Sequence, residues 1–115
     1  MPDDSDAPVM DTLAAMTLAS LENCHLPDHE LMLVRAAALI ATGAPAASYL
    51  MNIGAAVDAG ITLDDVQDVL IAVAPIVGTT RVVSATANIA EALGFVIAVA
   101  ELEAELEADE DAGGD

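Results

Sequence analysis

The side chains able to do chemistry are few, and most fall between Leu26 and Gly60. That stretch holds one of two histidines, the only tyrosine and one of two basic residues in the chain. His29 beside Glu30 offers a general acid–base pair, and Tyr49 a third proton-transfer group. Neighbours on a helix point about 100° apart, which weakens the His29–Glu30 pairing. Ser48, Tyr49 and Asn52 form a polar group, with Ser48 and Asn52 spaced to share one helix face. It reads either as a pocket whose asparagine amide holds a carbonyl or carboxylate, or as a hydrogen-bonded trio that fixes packing. Arg81, next to Thr79 and Thr80 at a helix start, suits a small anion. With 20 acids present, an ion pair is its plainer fate. Arg35 interrupts an apolar helix, where an unpaired buried charge is too costly. It is expected to reach water or a carboxylate of the chain, with a substrate carboxylate as the alternative. Cys24, His25, Asp28 and His29 are capable of binding metal, but Pro27 breaks the helical register between the histidines, and no metal or other cofactor is expected.

These side chains need five helices to position them. Residues 1–7 read as a disordered leader, with helix 1 from about Pro8 to Cys24 and its apolar face on Leu13, Met16, Leu21 and Cys24. Helix 2 is expected over Asp28 to Thr42, with a stripe of Leu31, Val34, Ala38 and Ala41 that Met32, Leu39 and Ile40 widen, ending at Gly43. A helix apolar on so much of its circumference is expected to be central. Helix 3 runs from Pro45 to about Ala59. Thr62 caps helix 4, with Asp64 and Asp65 in its first turn, in a close variant of the capping box. Helix 4 turns Val66, Val69, Leu70 and Val73 inward and is expected to stop near Pro75. Helix 5 starts near Arg81, with an apolar face of Val82, Ile89, Leu93, Val96, Ile97 and Leu102. The folded domain is read over 8–105 and an acidic disordered tail over 106–115. Glu101 with Glu105, and Glu103 with Glu107, are like charges four apart that favour fraying at low salt.

Composition sets the class. The chain has 115 residues, 56% hydrophobic, with 2% aromatic residues. Alanine and leucine with few β-branched runs indicate an all-α fold. The net charge of −18, from 20 acids and two bases, excludes a basic nucleic-acid surface and disfavours anionic membranes. One cysteine excludes an intrachain disulfide and a cysteine-based zinc cluster. The acidic N-terminus is unlike a secretory signal, and the apolar runs are interrupted by Arg35 and Glu91. They read as buried helices of a cytoplasmic protein without a membrane span.

Three segments resemble the carboxymuconolactone decarboxylase family, which includes the alkylhydroperoxidase D-like proteins. His29-Glu30-Leu31-Met32-Leu33-Val34 is similar to its "rEL" helix. Ala56-Val57-Asp58-Ala59-Gly60-Ile61-Thr62-Leu63-Asp64-Asp65-Val66 is similar to its "AxxxGxtxeEi" junction. Ala74-Pro75-Ile76-Val77-Gly78-Thr79-Thr80-Arg81 is similar to its "YaGvP" turn into the last long helix. The resemblance implies a compact five-helix domain that assembles as a homo-oligomer, a trimer or hexamer. Redox-active members carry CxxC and, four residues after the second cysteine, a histidine; those positions here are Pro45, Ser48 and Asn52. A disulfide cycle needs two thiols, one of them activated as thiolate, so peroxidase chemistry of that type is argued against. Decarboxylase members keep the histidine, so Asn52 counts against that reaction too.

Three functions remain. The first is a divergent or inactive member that binds a small carboxylic acid or lactone through Ser48, Asn52 and Arg81. The second is an active decarboxylase or isomerase of a small lactone acid that uses Tyr49, His29 or Glu30. The third is a purely structural oligomer, which requires the Ser48–Asn52 face to be packed solid. Uncovered apolar surface on helices 2 and 5 would itself call for a second copy.

Overall fold

The computed structural model of the protein describes residues 7–113. It contains five helices: α1 (Ala7–Asn23), α2 (Asp28–Thr42), α3 (Ala46–Asp58), α4 (Leu63–Val77) and α5 (Thr79–Gly113). The fold is all-α, and α2 has the expected limits. The expected leader lies outside the described residues except for Ala7, which opens α1.

α2 is the central element and packs against α3, α4 and α5, while α3 and α5 lie along one another. The core is Ile40, Ala44, Tyr49, Ala85 and Ala92, flanked by Leu39, Leu50, Ile53, Val69, Leu70, Val73, Val77 and Ile89. Three of the five buried residues of this cluster are alanines, and small side chains let helix backbones approach closely. The inward face of α2 is the widening side of the expected stripe, not its centre. Leu31, Met32 and Ile40 are buried, whereas Val34, Ala38 and Ala41 face outward. Three neighbouring helices turn the larger Met32, Leu39 and Ile40 side inward, because it removes more apolar area from water.

The α2–α3 turn is tight. Gly43 adopts φ 71°, its N–H donates to Ile40 O, and Ala44 N–H donates to Leu39 O at 3.0 Å. Asn88 of α5 then donates its Nδ2 to Ala44 O at 3.2 Å, which fastens α5 to this turn. α4 opens with a full capping box: Thr62 Oγ1 accepts from Asp65 N–H at 3.1 Å, and Asp65 Oδ2 accepts from Thr62 N–H at 2.9 Å. It does not stop at Pro75 but ends two residues later, with Gly78 N–H donating to Ala74 O at 3.0 Å. Pro75 has no N–H to offer the Ile71 carbonyl one turn back, so α4 forgoes that backbone bond and continues to Val77.

Two segments stand apart from the bundle. No Cα of α1 lies within 8 Å of another helix, and its intended apolar face, including Leu13, Met16 and Leu21, is exposed. The outer half of α5 is equally bare, with Phe95, Ile97, Leu102 and Leu106 all exposed. The reading of this apolar run as a buried helix is therefore corrected. Only 11% of its most apolar window is buried, and Thr79–Glu110 is long and apolar enough to cross a membrane. α5 also continues through 106–113, where a disordered tail is expected. Glutamate, alanine and leucine are all good helix formers. Extension of an existing helix adds one bond per residue fixed. The radius of gyration is 17.5 Å, against about 13 Å for a compact domain of this length.

Candidate functional site

A half-open cavity of about 350 Å³ is bounded by α2, α3, α5 and the start of α4. Helical spacing builds each wall. Arg35 and Leu39 are one turn apart on α2, Asn52 and Ala56 on α3, and Ile89, Leu93 and Ile97 follow at four-residue steps on α5. Ala36 and Ala56 leave the space that larger side chains would fill. Four lining residues carry side-chain nitrogen or oxygen: Arg35, Tyr49, Asn52 and Thr62.

Their polar groups are not equally available. Tyr49 is buried, and its hydroxyl is both shielded from solvent and without a hydrogen-bond partner. Burial pushes the phenol above its ordinary pKa, because the phenolate is poorly solvated there. Asn52 Nδ2 donates to Ser48 O at 2.8 Å, one turn back on α3. The expected hydrogen-bonded trio does not form: Ser48 and Asn52 are joined through the Ser48 carbonyl, and the Tyr49 hydroxyl takes no part. Thr62 Oγ1 is engaged in the capping box. Arg35 is half-buried, and its Nη2 donates to Ser20 Oγ of α1 at 3.2 Å. No carboxylate lies within 4.0 Å of it among the described residues. Of the two expected outcomes, pairing with a carboxylate does not occur among the described residues; the guanidinium reaches an exposed neutral hydroxyl.

The other candidates lie elsewhere. His29 Nε2 is 3.3 Å from Asp65 Oδ2, so α2 is tied to the cap of α4. Asp65 is held below the usual carboxylate pKa, first by the Thr62 backbone N–H. Partial desolvation opposes this, and His29 and the Thr62 hydroxyl add to it. Glu30 is exposed. Arg81 is exposed and lies against Gly43 at the α2–α3 turn. None of these three lines the cavity, and neither does Ser48. Cys24 is a free, half-buried thiol, and the described residues contain no group of three metal-capable acids, histidines or cysteines.

The geometry therefore brings together Tyr49, Asn52 and Arg35. The sequence signal for Arg35 is a charge at i−4 from Leu39 on an apolar helix, which by itself does not separate a cavity-lining charge from one that reaches water. The result is an apolar pocket edged by Arg35, with Tyr49 and Asn52 in its wall.

A family model described as "CMD: Carboxymuconolactone decarboxylase family" matches residues 7–92. No curated protein matches the chain, and no solved structure does.

Proposed function

The chain belongs to the carboxymuconolactone decarboxylase family, and from that premise we propose that it is a catalytically divergent member that binds a small carboxylic acid or lactone. The observation that carries this reading is the cavity itself. A purely structural module needs the Ser48–Asn52 face packed solid, yet Asn52 opens on a space of about 350 Å³. That size lies at the lower end of ligand pockets, about 300–1,000 Å³.

The chemistry of the lining supports binding without turnover. Pro45, Ser48 and Asn52 stand where redox-active relatives of the resembled type carry two cysteines and a histidine. No thiol lines the cavity, and Cys24 sits at the α1–α2 junction. Asn52 offers an amide where a proton shuttle would be needed. His29 and Glu30 lie outside the cavity, so an enzyme using them would need a second substrate site.

The same reading includes assembly with further copies. The accessible surface is 8072 Å², against about 5,800 Å² for a compact monomer of this mass. α1 and α5 carry many of the exposed large apolar side chains that a second copy would cover.

The test is a thermal-shift screen against small carboxylic acids and lactones, with Asn52→Ala and Arg81→Ala alongside the parent. A ligand at about 100 times its Kd stabilises by about 2.7 kcal/mol, a rise of several degrees. The reading expects a shift that Asn52→Ala weakens and that Arg81→Ala, outside the cavity, leaves unchanged. A broad panel with no shift, and both variants as stable as the parent, returns the protein to a structural role.

A further inference from the structure

We propose that the ligand of this cavity is an amphipathic monocarboxylate, its carboxylate on Arg35 and its hydrocarbon chain along α3 and α5. This rests on the binding reading above and names the chemical class that the site selects.

The charge inventory is the first argument. The chain has 20 acids and two bases, yet neither arginine meets a carboxylate among the described residues, and Arg35 is the one that lines the cavity. It spends one donor on Ser20 Oγ. A guanidinium has five N–H donors in a planar fork that matches a carboxylate. At the edge of an apolar cavity its attraction for an anion is less screened than in water.

The second argument is what the remaining wall rejects. Tyr49 hydroxyl is shielded, one Asn52 N–H goes to Ser48 O, and Thr62 Oγ1 accepts within the α4 cap. Beyond the second Asn52 N–H and its Oδ1, the lining is carbon, with Leu39, Ile53, Val57, Ile89, Leu93 and Ile97 prominent. A ligand with several hydroxyls or a second carboxylate would bury more polar groups than one amide can pair. A neutral hydrocarbon would leave the guanidinium unused. One charge on an apolar body satisfies both constraints.

The experiment is calorimetric titration of the full-length protein with hexanoate, octanoate and decanoate, with 1-octanol as the neutral probe. The proposal expects affinity to rise about fourfold per methylene, the equivalent of about 0.8 kcal/mol, until the chain outgrows the space. It expects octanoate to bind at least tenfold tighter than octanol, and Arg35→Met to remove that preference. Ser20→Ala, which frees a donor without touching the cavity, should keep or improve octanoate affinity. Val57→Phe, at the exposed edge of the lining, should weaken decanoate more than hexanoate. Circular dichroism of each variant checks the fold. Equal affinity for octanol and octanoate, or octanoate binding unchanged in Arg35→Met, overturns the assignment. If short polar lactone acids bind through Asn52 and the alkanoates do not, the general binding reading survives and this one fails. If neither class binds, both fail.

Discussion

His29 Nε2 on α2 lies 3.3 Å from Asp65 Oδ2 on α4, and that same oxygen accepts the Thr62 backbone N–H at 2.9 Å. One carboxylate oxygen thus closes the capping box and joins two helices 36 positions apart in sequence. A histidine that looks catalytic in the sequence is employed here in holding α4 onto α2.

The first prediction follows from the direction of the Asp65 shift. Its folded-state pKa lies below the ordinary 3.8. Such a group adds stability that is fully present above 3.8 and is lost as pH falls through the lower, folded-state value. Asp65→Asn should therefore be less stable than the parent at neutral pH, with the gap closing well below pH 3.8. Urea unfolding at both pH values measures it, and a gap independent of pH refutes it. Thr62→Ala should cost about 1 kcal/mol through loss of the cap.

Gly43 provides the second. Its φ of 71° lies where side-chain-bearing residues are strained. A Cβ there would also stand 2.5 Å from Arg81 Nη1, but that is the flexible end of a long side chain. Gly43→Ala should lose about 1 kcal/mol. The loss should agree within about 0.5 kcal/mol in an Arg81→Ala background, since backbone strain dominates. A loss that vanishes without Arg81 would place the cost in the side-chain clash.

Tyr49 gives a prediction of opposite sign. Its hydroxyl is buried with no hydrogen-bond partner, and an unsatisfied buried polar group costs about 1–3 kcal/mol. Tyr49→Phe should raise stability by about 1 kcal/mol and leave ligand binding intact. A destabilised variant would mean that the hydroxyl has a partner in the assembled protein.

The bare face of α1 gives the fourth. Val9, Leu13 and Met16 are all exposed along one side of this helix. Light scattering at micromolar concentration should report a mass above 11.6 kDa, and Leu13→Glu should lower it. A monomeric parent would remove the assembly proposal.

The fifth concerns salt. Glu101, Glu103, Glu105 and Glu107 form like-charge pairs four apart in the last third of α5. Screening shortens from about 10 Å at 0.1 M salt to about 3 Å at 1 M. Helical ellipticity should rise over that range, and a flat response would show that these repulsions do not limit α5.

The local elements were legible in the sequence because their signals are local. Asp28 to Thr42 carries acids at its start and a glycine at its end, and it is a helix over those residues. Gly60 to Asp65 spells a turn and a cap, and both bonds of the capping box form. The three segments similar to the family lie within the residues that the family model covers. Side-chain partnership was not legible in this way. Arg35 and Arg81 are the only two cations of the chain, yet one lines a cavity and the other lies against a turn. Ser48 and Asn52 are joined through a carbonyl, which side-chain identity does not reveal. Nor does periodicity say which side of an all-round apolar helix faces its own chain, so Ile40 is buried while Val34 is exposed. The sequence by itself determined the all-α class, the helix boundaries at caps and glycines, and the absence of a thiol pair, since these depend on residue type and near neighbours. Only the tertiary structure decided that His29 braces a cap, that Arg35 looks onto a cavity, and that α1 meets α2 through the Ser20 side chain without close backbone packing. Those outcomes depend on which helix faces lie opposite one another, a relation among distant residues that no local pattern encodes.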